Sequence, residues 1–533
     1  MRERCREGRG QARWQRVSSS IACVCIGYLG SAHAERWSLD PSVTTRATWT
    51  DNAGFDDQSN ASSDTLLEVT PAISLMGEGK RFHVRGSASF TELVYARGTR
   101  ENRFLPLVDV TSNLEAIERL FFIDAGVVSR QGAEDAFAPR PDGNADINTV
   151  TTTQYQLTPR FEGRLGGDVR YRLRSSNSWT NVSGATTTAA TGAYLGEHSM
   201  RVERPPSPFG FAVEATRSDT LFESGLAARE ILDSARLMLP YAFSPSTRVA
   251  LRGGYEKLRI RTSDRVSEST EQAIYGIDFD WHPTERTELS GLWEDRFFGN
   301  GWHLNFDHHM PRLAWTVSTS RDVASFPQSF LTLPPTNNVA ALLDAAFTTR
   351  FPDAAERSRV VADLIARQGL PSSLATQTSL FSQRISLVTS ANASIALIGV
   401  RNSLVISGFS SKTEDLPGST FAFLSGVNSV NVVQDGASVS LSRQVSSVLS
   451  FNVTGAYTRT RGIAADAGAQ SRQKTIKGEM TRQLTAKSNA FVGARVQTFG
   501  SNVAASTIAN PTGVATPPSA HEHAVFAGLT HRF

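Results

Sequence analysis

His303, Asp307, His308 and His309 stand close together, with Asp295 a short way upstream. Imidazoles and carboxylates so spaced are the groups that move protons or hold a metal. In an extended strand His303, Asp307 and His309 share one face, and His308 takes the other. No Gly-x-Ser-x-Gly or comparable nucleophile motif accompanies them, so neither a catalytic nor a metal site is assigned and the chain is not expected to be an enzyme. Asp142-Gly143-Asn144-Ala145-Asp146 has the first three oxygen positions of a calcium loop. It lacks the glycine and the distal glutamate such a loop needs, so no metal is expected there. The Asp51–Asp64 stretch, with Asp56 and Asp57, reads as solvated.

Arginines form a second pattern. Asp168, Arg170, Arg172 and Arg174 alternate with Val169, Tyr171 and Leu173. Just upstream, Gln154, Gln156, Arg160 and Glu162 alternate with Tyr155, Leu157 and Phe161. Arg81, His83 and Arg85 repeat the motif. Guanidinium forks at every second position are a plausible track for an anionic solute or an acidic polysaccharide. The simpler reading is a network that holds a wall, since Glu162 and Asp168 lie near enough in sequence to neutralise part of the ladder.

Such residues need strands with one apolar face, and strands run along nearly the whole chain. Val43, Ala47 and Trp49 alternate with Thr44, Arg46 and Thr48; Leu313, Trp315 and Val317 and then Leu449, Phe451, Val453 and Tyr457 repeat the period. Tight turns such as Gly77–Lys80 and Ser244–Thr247 alternate with longer polar loops at Gln131–Thr153, Ser175–Thr191, Ser411–Asn431 and Gly500–His521. Short turns at one end and long loops at the other describe a transmembrane antiparallel β-barrel of the bacterial outer membrane. Only a closed sheet satisfies every backbone group in lipid. About 22 strands are expected, within a range of roughly 16 to 22. With charges on the lipid face costing roughly 2–4 kcal/mol each near the midplane, Arg81, His83, Arg85, Arg160, Glu162, Asp168, Arg170, Arg172 and Arg174 are expected to line the lumen.

The first residues read as an export signal. Six arginines precede an apolar run from Val17 to Gly30 and an Ala32-His33-Ala34 end. Residues 1–34 are therefore expected to be removed, leaving 35–533 as one barrel domain. The three cysteines (Cys5, Cys23, Cys25) leave with them, and the formal charge falls from +3 to about −1. A basic footprint for nucleic acid is thereby lost, and no cofactor is indicated. No later run is apolar enough for a membrane helix. At the far end Val525, Ala527, Leu529 and Phe533 share one face, and a terminal Phe closing such a strand looks like the signal read by outer-membrane assembly machinery.

One segment, about 338–371, breaks the strand period. Asp353 and Glu356 form a capping box, Val360, Val361, Leu364 and Ile365 make an apolar stripe, and Gly369 and Pro371 end the helix. A shorter helix, about Ala340–Phe347, precedes it. The insert falls on the long-loop side, either as a self-packed hairpin over its loop or as a gate in the barrel mouth.

Several strings resemble the outer-membrane β-barrel family associated with PEP-CTERM/exosortase systems. They are Trp37 with Asp51-Asn52; Tyr275-Gly276-Ile277-Asp278 leading to Trp281-His282-Pro283-Thr284 and Arg286-Thr287; and Arg296-Phe297-Phe298-Gly299. Arg350-Phe351-Pro352-Asp353, Glu356-Arg357 and Gly369-Leu370-Pro371 continue the likeness, which spans the mature chain. The resemblance implies a non-enzymatic conduit or platform in exopolysaccharide export or envelope assembly. Its partners would be outer-membrane lipid, the barrel assembly machinery, polysaccharide and periplasmic export components. A general diffusion porin and a barrel-embedded hydrolase are the alternatives.

Overall fold

The computed structural model describes residues 36–533 apart from 134, 143–146, 184–191, 224–226, 263–266, 332–338, 349–350, 352, 369, 371–384, 417–430, 465–466 and 504–516. The expected signal segment, Pro371 and part of the Asp142–Asp146 motif lie outside the described residues. In chain order the strands begin with β1 (Arg36–Thr50), β2 (Asp64–Glu78), β3 (Phe82–Tyr95), β4 (Arg103–Ile117), β5 (Phe121–Ala133), β6 (Thr149–Gly166), β7 (Val169–Ser183) and β8 (Gly192–Arg204). Next come β9 (Phe211–Phe222), β10 (Ala227–Ser244), β11 (Thr247–Thr262), β12 (Ser267–Thr284), β13 (Thr287–Arg296), β14 (Gly299–Met310) and β15 (Leu313–Ala324). The series ends with β16 (Ser386–Ile398), β17 (Asn402–Glu414), β18 (Val432–Gln444), β19 (Leu449–Gly462), β20 (Gln470–Gln483), β21 (Ser488–Ser501) and β22 (Ser519–Arg532).

Each strand pairs antiparallel with its sequence neighbours, and β1 pairs with β22 from Ser42↔Arg532 to Thr50↔Ala524. The 22-stranded sheet is therefore closed, with no free edge to expose N–H and C=O groups to lipid. Alternation sets its two faces. Leu157, Phe161, Leu173, Leu237, Leu239 and Leu251 point out and are exposed, while Gln154, Ser176, Ser178 and Thr180 point in and are buried. Aromatic pairs mark the lower boundary of the apolar belt: Trp37 with Phe82, Phe121 with Phe161 and Phe306 with Trp315. On the other boundary Tyr275 meets Trp293 and Phe90 stacks on Phe104.

Short turns such as 167–168, 245–246, 285–286 and 311–312 lie at the periplasmic end. The long connections, 51–63, 134–148, 325–385, 415–431 and 502–518, join the strands at their extracellular ends. The strands run further into these loops than their apolar alternation indicated: Ser175–Ser183, expected as loop, completes β7. Above the membrane both faces of a strand meet water, so the period-two signal vanishes while the ladder continues.

Candidate functional site

The long connection between β15 and β16 carries three helices among the described residues: α1 (Phe326–Leu331), α2 (Val339–Phe347) and α3 (Ala354–Gln368). α1 was not foreseen, because six residues hold too little of a helical period to read. Its Phe326 and Phe330, spaced to share one face, pack on Val150 and Val182 at the extracellular ends of β6 and β7. Gln328 donates to Glu197 of β8 at 2.9 Å, and Gln154 of β6 donates to the Pro327 carbonyl at 3.3 Å. The chain thus crosses from β15 to the wall opposite.

α2 and α3 then descend into the lumen. Leu342, Leu343, Ala346 and Phe347 of α2 and Val361 of α3 pack in one cluster with Ala314, Ala396, Ile398 and Val405. Those four wall residues point inward near the periplasmic ends of β15, β16 and β17. The hairpin is tied by Arg357–Asp344 at 2.9 Å, and Asp353 caps α3 by accepting from the Glu356 amide at 2.7 Å. A hydrogen bond from the Leu370 amide to the Ile365 carbonyl closes its C-terminus. Of the predicted gating stripe, Val361 is fully buried and Leu364 and Ile365 pack against the cluster; Val360 is only half-buried. Asp363 reaches a recess shared with Ser446, Ser447, Lys487 and Arg532 at the periplasmic turns. The insert therefore starts on the extracellular side yet sits deep in the pore, and a hairpin confined above its loop is corrected.

A second strap crosses the mouth. The connection 134–148 crosses to β20 and β21, where Gln473 and the Arg140 backbone exchange hydrogen bonds of 3.0 and 2.6 Å. Gln497 does the same for Asp142 at 2.7 and 3.1 Å. Withdrawal from water pulls the Arg140 guanidinium below its ordinary pKa. The acceptors that hold this strap are fixed by the wall: Gln497 donates to Glu522, which also pairs with Arg495 at 2.9 Å and accepts from Thr50 at 2.7 Å. Asp142 serves as a strap residue whose backbone is bound.

On the β7–β14 wall lies a cavity of about 420 Å³ near the periplasmic end. Arg170, Arg201, Arg204, Arg248 and Arg252 line it, with His303 and the carboxylates of Glu203, Asp278 and Asp280. Part of this charge is spent within the wall. Arg201 pairs with Glu203 at 2.7 Å and Glu214 at 2.9 Å, Arg248 bonds Asp280, and Arg252 lies 3.2 Å from Glu294. Arg170 and Arg204 make no ion pair among the described residues. Above the cavity Glu256, wholly buried, binds Arg296 at 2.9 Å, and Arg296 reaches Asp322 at 2.6 Å.

The other predicted lumen residues divide. Arg160 bridges Asp124 at 3.0 Å and Glu162 at 2.5 Å, and Arg172 joins Glu162 at 3.2 Å. His83 and Arg85 line a separate recess of about 360 Å³ with Asn113 and Asp124. Arg81 lies on a periplasmic turn, 3.0 Å from Glu118. Arg174 shares the inward face of β7 and, like Arg170, makes no ion pair among the described residues. Asp168 is exposed on the β6–β7 turn and neutralises none of the ladder; Asp124, on the preceding strand, takes that part. His303 reaches the cavity, whereas the His308 ring lies tilted 6.0 Å from that of Trp315 on the lipid face. Phe533 is exposed beside the His531 ring, 5.0 Å away, and its amide donates to the Pro41 carbonyl at 3.0 Å.

Sequence reasoning missed Glu256, Arg296, Glu522, Arg495 and Gln497. Each had a signal, namely a charged or amide side chain in phase with the inward face of its strand.

No family model and no curated protein matches this chain. Solved structures do. The FrpB iron transporter from Neisseria meningitidis aligns at 9% identity over 93% of this chain and 82% of that one, with a TM-score of 0.46. The ferric-catecholate import receptor Fiu from E. coli K12, in its open form, aligns at 9% over 93% and 82%, with a TM-score of 0.44. The siderophore receptor PirA from Acinetobacter baumannii aligns at 9% over 94% and 81%, with a TM-score of 0.43. What these structures share with this chain is the barrel fold. The protein is a closed 22-stranded barrel of the bacterial outer membrane.

The expected exopolysaccharide conduit and its porin alternative are corrected by the occupied lumen. A polymer conduit or a diffusion porin needs an open bore, and here a helical hairpin is seated inside it. Nothing in these comparisons bears on polysaccharide-export partners.

Proposed function

We propose that this protein imports an anionic solute across the outer membrane, through an arginine-lined passage that its own β15–β16 insert closes at rest. The observation that carries this reading is the seating of α2 and α3 against β15–β17, apart from the cavity that Arg170 lines. Long guanidiniums facing a water-filled recess offer bidentate sites to carboxylate or phosphate. A passage of this kind binds, orients and admits its solute without chemistry, and so works as a transporter.

The test uses purified barrel in lipid vesicles, with radiolabelled citrate, free and as its ferric chelate, against choline as a cation of modest size. The intact barrel is expected to admit citrate slowly and choline hardly at all. Removing residues 332–384 is expected to speed citrate entry well beyond choline. Equal entry of the two through the opened barrel would end the anion reading, and rapid entry of both through the intact barrel would end the closed-at-rest reading. Membership of the PEP-CTERM/exosortase-associated barrel family stays a proposal supported by the strings around Trp281, Arg296 and Arg350. A gene lying apart from any exosortase gene would remove that support.

A further inference from the structure

The outer wall carries a feature that transport does not use. Across β7–β12 the register aligns Ser175, His198, Arg217, Asp233, Lys257 and Glu271 in a single row of direct cross-strand partners. All six point away from the lumen, in phase with the lipid-facing Leu173, Met200 and Leu237. One step toward the periplasm the same register gives Leu173, Met200, Ala215, Ala235, Tyr255 and Ala273. The small side chains of Ala215 and Ala235 sink the wall between Phe161, Leu173 and Met200 on one side and Tyr255 on the other. The result is a groove of about 680 Å³, apolar along its length and bordered by His198, Arg217, Asp233 and Lys257.

Its depth follows from electrostatics. A charge on the lipid face costs most at the midplane and little at the interface, so an abrupt row of charges marks the extracellular edge of the hydrocarbon. Tyr255, an interfacial residue type, sits one step inside that row. The groove thus lies in the outer leaflet with its charged end at headgroup level.

The donors at that end are not all spent. Arg217 reaches Asp233 only at 3.6 Å, while Asp233 is already bonded by Arg259. Lys257 holds the exposed Glu271 at 3.0 Å, and His198 meets the Ser175 hydroxyl at 2.9 Å. Arg217, Lys257 and His198 therefore stand with Asp233 and Glu271 at the charged end, and Arg217, held 3.6 Å from a carboxylate that Arg259 already bonds, is the donor left for an anionic headgroup whose chains lie in the trough.

We propose that this groove holds a phosphorylated, multiply acylated glycolipid of the outer leaflet, with phosphate on Arg217 and Lys257 and an acyl chain over Ala215 and Ala235. Phosphate would accept from the guanidinium, and the chain would cover apolar wall that no side chain fills.

The test is native mass spectrometry of the purified full-length barrel in detergent, titrated with a bis-phosphorylated lipid A-type glycolipid, its dephosphorylated form, and phosphatidylethanolamine. The phosphorylated glycolipid is expected to bind at least about tenfold tighter than either of the others. R217Q with K257Q should erase that preference. A235W should fill the trough and lower binding of both glycolipids. Heat-modifiable migration on gels checks that each variant is folded; if A235W fails to fold, the double charge variant decides alone. Equal binding of all three lipids, or a preference that survives R217Q with K257Q, would overturn the proposal.

Discussion

The two halves of the lumen wall are built from different side chains. On β15–β19 the inward face is small: Ala314, Ser394, Ala396, Val405, Ser407, Ser438, Ser440 and Asn452 are all buried there. Ser407 and Ser438 bond each other at 2.8 Å, and Asn452 donates to Ser440 at 2.9 Å, so the polar atoms are satisfied locally. On β7–β13 the inward face is long and charged, with Arg170, Arg201, Arg236, Arg248 and Arg252 among carboxylates. The insert docks on the small half and leaves the charged half facing water. A helix can approach a sheet closely only where short side chains leave room, and an arginine-rich wall stays hydrated because stripping water from guanidinium is costly. The contrast therefore decides where a plug sits and where a solute passes.

The largest effect should come from removing the plugged half's occupant. Replacing residues 332–384 by a short Gly–Ser link should turn a near-silent barrel into one with large, steady steps in planar bilayers. Unchanged conductance would mean that other segments seal the pore. Next, E522A would take away the buried carboxylate that pairs with Arg495 and loosen the strap acceptor Gln497. A loss of roughly 3–5 kcal/mol is expected, read as a lower urea midpoint for unfolding from vesicles; a midpoint within error of the native protein would show that the pair contributes nothing.

Placing a charge in the docking cluster with L343D, at a residue with 0% exposure, should unseat the hairpin and leave the barrel intact. Bursts of conductance with unaltered heat-modifiable migration would show this, and a silent pore would not fit. On the charged half, R170Q with R201Q in the insert-deleted barrel should shift the reversal potential in a KCl gradient toward the cation side. A potential that stays put would make these arginines structural. The smallest effect is D353A, which removes the α3 cap at a cost of about 1 kcal/mol. It should raise the open fraction a few-fold, and cap loss with no change in gating would show that α3 is held by packing alone.

Much of this was legible in the residues. Alternation at Val169/Tyr171/Leu173 and Leu313/Trp315/Val317 gives strand phase, because a single slip would turn every arginine of the ladder into lipid. Even the parity of His303 against His308 could be read this way. The capping box at Asp353 and the stripe at Val361, Leu364 and Ile365 gave α3, since both are local. Strand ends above the membrane were not legible, because residues such as Ser175–Ser183 lose their one-sided pattern there. Nor was α1.

What the sequence determined by itself was the set of local periods: strands with one apolar side, a helical interruption and an inward arginine track. What only the tertiary structure decided was which long-range partners met. Closure of β1 on β22, the descent of α2 and α3 onto Ala314, Ala396 and Val405, and the crossing of 134–148 to Gln473 and Gln497 join residues far apart in the chain. Periodicity fixes which way a side chain faces, but it carries no record of the distant surface that the face will meet. That choice rests on which parts of the wall leave space and which keep their water.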